Sequence, residues 1–274
     1  MCGRPLIIDG QTLVAGLTES SAWSRGARHA HDLAAVEDAA LAAAWRADAL
    51  DEHASVASFH QFGLELLAVG APADLVLAAA QAAADEVGHV QACLRIAAAL
   101  DGGTAGPGKL HLAGMRIRSD LAQVAVAAVV EGCIGETLAA CQVAVAARAA
   151  GDPDVADALQ QIAADEARHA ELGWRFVKWA VDTGGGDVRV QVSAAFAAAI
   201  SAGPPGDPRH ATLAGVARLQ QRWWGRVPAA DSLRIARYTL DHVIGPCAAA
   251  LLAASDPAGV RAAPTLPAAD QGAA

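Results

Sequence analysis

The chain has 274 residues, enough for one substantial core or for a bundle with an appendage. Hydrophobic residues make up 54% of it, much of that alanine, and aromatics only 4%. Alanine is the strongest helix former, whereas β-branched and aromatic residues favour strands, so this composition excludes a sheet-rich fold and predicts an all-α one. The net charge of −9 argues against a nucleic-acid-binding surface, which is usually basic.

In chain order, the first expected element is a hairpin over Leu6–Val14, turning at Asp9-Gly10. Thr18 to His31 carries no clear pattern, and residues 1–31 are read as an N-terminal hairpin and irregular segment. Four long helices follow. The first starts near Leu33 or Asp38 and runs to Val69, ending at Gly70-Ala71-Pro72. The second runs from Ala73 to Leu100. A polar connection over 102–119 leads to a third helix from Asp120 to Ala150. After Gly151, Asp152-Pro153 opens the fourth, which ends at Gly184-Gly185-Gly186. Residues 32–185 therefore form two helical hairpins joined by a longer crossover. Additional helices are expected over 188–202, 208–224 and 230–254, packed on the bundle as the segment 186–254. The Ala/Pro/Gly-rich tail 255–274 is expected to be disordered.

No uncharged apolar run reads as long and clean enough to span a bilayer; the nearest, Val190 to Gly206, is interrupted by Gln191, Ser193, Pro204 and Pro205. The N-terminus, with Arg4 and Asp9, is read as carrying no signal peptide. Five scattered cysteines suit free thiols in a reducing cytoplasm.

The chemistry lies in two copies of one motif. Asp85-Glu86-Val87-Gly88-His89 sits in the second helix and Asp165-Glu166-Ala167-Arg168-His169 in the fourth. Glu and His three residues apart share one helix face and can grip one ion together. Random placement of these residue types would give D-E-x-x-H on the order of 0.02 times in such a chain. The motif is embedded in a repeat: the offset from Glu52 to Glu86 is nearly that from Glu131 to Glu166. Each half thus offers one Glu from its first helix and one E-x-x-H from its second. The helix faces agree. Glu52 shares its stripe with Val56, Phe59, Gly63 and Leu66, Glu86 and His89 with Ala79, Ala82 and Cys93, and Glu166 and His169 with Val155, Leu159 and Ile162. Carboxylates on apolar stripes are costly unless paired or ligating, and two divalent ions would cancel four of them.

These residues resemble the non-haem di-iron carboxylate superfamily, whose members include ferritins, rubrerythrins, bacterial multicomponent monooxygenases, fatty-acyl desaturases and tRNA-hydroxylating relatives. The resemblance covers roughly Asp38 to Asp182 and implies a ferritin-like four-helix bundle. It implies Glu52, Glu86, His89, Glu131, Glu166 and His169 as metal ligands and catalytic residues. Asp85 would then orient His169, and Asp165 would orient His89. Only the second motif carries the arginine, Arg168. In the third helix the repeat favours Glu131 and distance from the loop favours Glu136. At about 100° per residue on an α-helix the two point well apart, so one position is expected to serve. Glu131 is taken as the ligand and Glu136 as a neighbour lining the site.

The implied cofactors are two iron ions, with manganese or a mixed pair also admitted by the donor set. Dioxygen would be the co-substrate, and the activity an oxidase or oxygenase that hydroxylates, desaturates or N-oxidises a small organic molecule. Small residues at Gly132, Cys133, Gly135 and Ala139 would leave room for it, and the C-terminal helices would cap the site. An electron-donating reductase and a homodimer are compatible with this reading, with no membrane partner. Two other classes stand beside it: a ferroxidase or peroxide-detoxifying protein, and a metal-free helical interaction module. His53 and His60 read as surface or network residues, Cys93 as a buried small side chain, and Trp223-Trp224 as packing. Tyr238, the one tyrosine, lies away from the ligand segments. Cys2, a nucleophile in some amidotransferases, has no supporting context.

Overall fold

The computed structural model describes residues 4–19, 23, 36–204, 206–207 and 209–254. Leu33, Cys2 and the tail 255–274 lie outside the described residues. The expected hairpin is present: β1 (Ile7–Ile8) pairs antiparallel with β2 (Gln11–Thr12), Ile7 opposite Thr12. Asp9 and Gly10 both have positive φ, as a two-residue hairpin turn requires. β3 (Leu17–Thr18) pairs with β4 (Gly106–Pro107), tying the N-terminal segment to the crossover.

The rest of the described chain is mostly helical. α1 (Val36–Ala68) and α2 (Ala73–Asp101) form one hairpin around Gly70. A third rod runs from Leu121 to Ala149. It consists of α3 (Leu121–Ala128), a π-helical stretch (Val129–Glu136) and α4 (Thr137–Ala149). Asp120 caps its start by accepting from the Gln123 amide at 2.9 Å. α5 (Pro153–Ala202) packs against this whole rod and against α2. Asp152 caps α5 through the Val155 amide at 3.0 Å, with Pro153 in the first turn. The expected end of the fourth helix at the triple glycine is a change of direction rather than a stop. Only Gly185 leaves helical dihedrals (φ 66°, ψ −146°), and helix continues on both sides.

After α5 come two short helices, α6 (Arg209–Thr212) and α7 (Arg218–Trp223). α8 (Ala229–Thr239), a π turn (Leu240–Ile244) and α9 (Gly245–Ala254) then fold back on the third rod and on α5. Among the described residues one helix, Leu121–Ala149, is long and apolar enough to cross a membrane by length and composition. It differs from the uncharged run whose absence was expected, for which Val190 to Gly206 was the nearest, because it carries glutamates. The Leu121–Ala149 helix holds Glu131 and Glu136, and most of its apolar window is buried. Among the described residues, Cys93, Cys133, Cys141 and Cys247 are free thiols.

The packing follows a 4-3 alternation. In α1 the residues Leu41, Trp45, Asp48, Glu52, Ser55, Phe59, Phe62 and Leu66 are all buried. α2 repeats the spacing from Leu75 through Glu86 and His89 to Leu100, and α5 from Val155 through Glu166 and His169 to Ala180. Such a seam lets antiparallel helices interlock side chains along their length. The buried apolar residues divide into two large groups and a small one of Leu6, Ile8 and Ala54. One large group surrounds Phe59, Phe62, Val129, Leu172 and Phe176; the other surrounds Leu41, Trp45, Val90, Val143 and Leu159. The ionisable residues of the seams lie between these two.

Close backbone approach fixes the spacing of α5 against the π stretch. A Cβ built on Gly173 would stand 2.8 Å from the carbonyl carbon of Gly132, and one on Gly132 3.0 Å from the Gly173 Cα. Gly88 in α2, by contrast, faces open space. Gly173→Ala is therefore expected to destabilise by about 1–3 kcal/mol through overpacking. Gly88→Ala should stabilise by about 0.5–1 kcal/mol through helix propensity. Urea unfolding of the two variants should move the midpoint in opposite directions.

Candidate metal centre

Six inward-facing side chains meet midway along the four rods. Glu52 comes from α1, Glu86 and His89 from α2, Glu136 from the end of the π stretch, and Glu166 and His169 from α5; none is more than 2% exposed. They form two groups that share Glu166. Ligand atoms of Glu52, Glu86, His89 and Glu166 lie within 4.8 Å of one another, as do those of Glu136, Glu166 and His169.

The two imidazoles are held alike. His89 Nε2 lies 3.1 Å from Asp165 Oδ2, and His169 Nε2 lies 3.3 Å from Asp85 Oδ2. Each histidine is thus gripped by the aspartate that precedes the other motif's glutamate. Both Nδ1 atoms face the carboxylates. His89 Nδ1 is 3.2 Å from Glu86 and 3.8 Å from Glu166, and His169 Nδ1 is 3.3 Å from Glu86 and 3.6 Å from Glu166. Outside the cluster, Arg168 Nη2 donates to Asp165 at 2.6 Å and to Asp85 at 3.0 Å, clamping the two aspartates together. The crossed aspartate contacts lock both rings with one nitrogen turned inward, the arrangement that orients imidazole toward a metal.

The third-rod carboxylate of this cluster is Glu136, not Glu131. Glu131 turns instead to Arg4 (3.1 Å) and Arg118 (3.6 Å). Two physical reasons favour Glu136. In an antiparallel hairpin, residues at one height lie equally far from the turn. Glu52 and Glu86 are equally far in sequence from Val69, and Glu136 and Glu166 are equally far from Gly151. The near-equal repeat that favoured Glu131 ignores this symmetry. The buried seam, counted back from α4, also runs Ala146, Val143, Ala139, Glu136, Gly132, a signal present in the sequence. The wide angle expected between the two glutamates assumed an unbroken α-helix. In a π-helix bonding runs i to i+5, so Glu131 and Glu136 lie about one turn apart along neighbouring faces.

Sequence reading missed the charges that flank this layer. Arg4 is buried, with its guanidinium 4.1 Å from the Phe62 ring centre and 5.1 Å from that of Phe59. Its backbone oxygen accepts from Ser55 at 2.6 Å. Arg118 donates through Nε to the buried Glu65 at 2.8 Å, and Gln61 donates to the same oxygen at 3.0 Å. On the other side Asp48, one turn before Glu52, pairs with Arg226, whose guanidinium lies 5.0 Å from the Trp45 ring centre. Asp48 alone could have been found in the sequence, because it keeps the α1 seam.

No family model, curated protein or solved structure matches the chain. The site's chemistry therefore rests on its own geometry. Burial, and then the charges of Glu86 and Glu166, push the Glu52 carboxyl well up; burial and the Glu166 charge do the same for Glu136. Burial alone would raise Glu86 too, but the imidazoles of His169 and His89 beside it outweigh it and take the group down to about 2. For the histidines burial works downward, yet Asp165 and Glu86 lift His89 to about 11, and Glu166 and Glu86 lift His169 to about 9. Burial pushes the Cys93 thiol well up as well, which keeps it from acting as a thiolate. Without a cation the layer thus balances itself with protons.

A cation fits this donor set. Glu52 Oε2, both oxygens of Glu136, both oxygens of Glu166 and Nδ1 of His169 are buried and make no hydrogen bond within the structure. Unpaired buried carboxylate oxygens aimed at one another are costly. Four carboxylates and two imidazoles suit divalent first-row ions.

Of the other residues considered, His60 is exposed and bonded to the Val56 carbonyl, and His53 packs edge-on against Trp23. Tyr238 is exposed and packs on His242. Trp223 is half exposed and its carbonyl accepts from the Gly151 amide.

The protonation pattern sets a pH dependence. At neutral pH the metal-free folded chain binds more protons at Glu52, Glu136, His89 and His169 than the unfolded chain does. Their raised folded values contribute stability that is fully present below the unfolded values and lost as pH rises through the folded ones. Glu86, depressed to about 2, acts oppositely and only below the ordinary carboxylate range. Metal-free protein is therefore expected to lose stability from pH 5 to pH 9. Metal binding should release protons at pH 7. Urea unfolding at stepped pH, and dye-reported proton release on titrating metal into weakly buffered protein, measure the two effects.

Proposed function

We propose that this chain is a ferritin-like four-helix bundle of the non-haem di-iron class, binding two iron ions and using dioxygen to oxidise a small organic substrate. The observation that carries the reading is the six-residue buried layer, with one carboxylate from each of two helices and an E-x-x-H pair from each of the other two. That is the donor set of di-iron and di-manganese carboxylate bundles, in which every ligand projects into the core. Two divalent ions cancel the charge of Glu52, Glu86, Glu136 and Glu166. Manganese, or one ion of each kind, satisfies the same donors.

When bound, such a metal pair supplies the electrons and open positions for dioxygen reduction. The chain's own residues do the rest. Glu52, Glu86, Glu136 and Glu166 give oxygen donors, and His89 and His169 give nitrogen donors. Asp85 and Asp165 hold Nε2 of each ring, leaving Nδ1 turned inward. Arg168 fixes the two aspartates by donating to both. The apolar residues on either side exclude water from the layer, which strengthens every electrostatic contact in it. A reductase partner would return electrons between turnovers.

A ferroxidase, in which iron is itself the substrate, is the second reading. It draws on a hollow of about 140 Å³ that reaches His169 from the surface between Asp85, Arg168 and Arg175. The oxygenase reading stands ahead of it because a much larger cleft lies beside Glu131.

Anaerobic loading with ferrous iron, followed by stopped-flow mixing with oxygenated buffer, tests the proposal. Two irons per chain and a transient visible band are expected. Mineral growth beyond two irons would move the assignment to ferroxidase, and failure to bind iron, manganese or a mixture would overturn both. Glu86→Ala and Glu136→Ala should each lose at least one ion per chain by elemental analysis. Glu131→Ala should keep both.

A further inference from the structure

None of the six layer residues is more than 2% exposed, so a cation arriving from solvent needs a way in. The apolar group around Phe59, Phe62 and Phe176 closes one end of the layer, and that around Leu41, Trp45 and Val90 closes the other. Apolar packing is a barrier to an ion. Two openings lie at the sides. The cleft of about 490 Å³ is lined by Gly135 and Ala139 and roofed by Gly203, Leu233 and Ala236, and among the described residues none of the six lines it. Glu131 in its wall is held by Arg4 and Arg118. The hollow of about 140 Å³ between α2 and α5 is different, because His169 itself and its partner Asp85 form part of the wall.

Arg168 stands in the same wall and shares an atom with the layer. Its Nη2 donates to Asp85 Oδ2 at 3.0 Å, and that oxygen also holds His169 Nε2 at 3.3 Å. The guanidinium thus covers the carboxylate that grips one ligand imidazole, and its positive charge repels an incoming cation. Its side chain is 51% exposed, so the contact with Asp85 lies at the water's edge, where ion pairs are weak and exchange readily. Asp85 does not depend on it for its position. Gln81, one turn earlier in α2, donates to Asp85 Oδ1 at 2.8 Å. Gln161 does the same for Asp165 at 2.8 Å, so the repeated motif extends to Q-x-x-x-D-E-x-x-H. The first copy has Gly88 where the second has Arg168, so one arginine serves both aspartates. The other arginine of the hollow, Arg175, is already paired with Asp74 at 2.5 Å.

We propose that the hollow between α2 and α5 is the entry to the metal layer and that Arg168 is its latch. Released from Asp85, the guanidinium turns to solvent, and the freed carboxylate, still tethered by Gln81, attracts a divalent cation beside His169. Re-pairing with Asp85 closes the way out. The inference rests on the metal centre proposed above, and it is the same whether the ions stay as a cofactor or pass through as substrate.

The test follows ferrous iron into and out of the full chain without oxygen. Timed samples are quenched with a chromogenic ferrous chelator to measure uptake, and loaded protein is mixed with the same chelator to measure release. Arg168→Ala should speed both uptake and release by roughly two- to fivefold, the factor that one exposed ion pair is worth. Iron per chain at saturation should equal that of the wild type. Arg168→Gln gives the same acceleration should the alanine variant not fold. Ala78→Phe, which fills the hollow while Arg168 stays, should slow both rates, and Ala78→Leu is a smaller plug for the same purpose. Faster release without faster uptake in the Arg168 variants would make the arginine a structural prop and overturn the latch. Unchanged rates in folded Ala78 variants would overturn the route. Wild-type chain that takes up no iron would remove the metal centre and this inference together, whereas two irons per wild-type chain with no acceleration in the Arg168 variants would remove this inference alone.

Discussion

The structure turns on the burial of six ionisable side chains in one layer between two apolar groups. Each carboxylate there would be costly by itself, and without a cation the arrangement is tolerable because the two histidines and raised, proton-holding carboxyls offset the charge. The histidines face inward to Glu86 and Glu166 and outward to Asp165 and Asp85. Arg168 closes the outer ring. The crossed pairing joins α2 to α5 through two polar contacts, so the two hairpins are registered against each other by the site itself. What remains unsatisfied is concentrated on Glu52, Glu136, Glu166 and His169, at the centre.

The third rod adapts the bundle to that layer. Its π stretch spans Val129 to Glu136 and contains Gly132 and Gly135. Gly132 lets α5 come within backbone contact at Gly173, one turn beyond His169. That approach brings Glu136 up to Glu166. The wider π turn also allows Glu131 to leave the seam and reach Arg4. Departures from α geometry commonly mark functional positions, because they re-aim side chains without breaking the rod.

The chain ends finish the site. Arg4 crosses from the N-terminal hairpin into the core, stacks on Phe59 and Phe62, and binds Glu131. Arg226, beyond α7, does the corresponding task for Asp48 below Glu52. These two arginines place positive charge on either side of the carboxylate layer and hold the appended segments to the bundle. α8 and the bend after α5 then roof the cleft that the third rod leaves open.

The long helices, their breaks and the two E-x-x-H pairs were legible in the sequence, because helix periodicity, Gly/Pro punctuation and i,i+3 spacing are local properties. Glu52, Glu86, His89, Glu166 and His169 could therefore be grouped before any coordinate, and the crossed aspartates followed from resemblance. The choice between Glu131 and Glu136 was a matter of height along an antiparallel pair and of helix pitch. Symmetry about Gly151 and the seam through Ala139 and Val143 pointed to Glu136, but the π stretch that reconciles both glutamates with the core has no simple sequence signature. Arg4 could not be placed at all, since its partners lie on α1 and the third rod, far along the chain. Local pattern determined which side chains belong to the layer. Only tertiary packing decided which carboxylate completes it, which arginines guard it and where the cleft opens, because those depend on the distance between rods rather than on the order of residues within one.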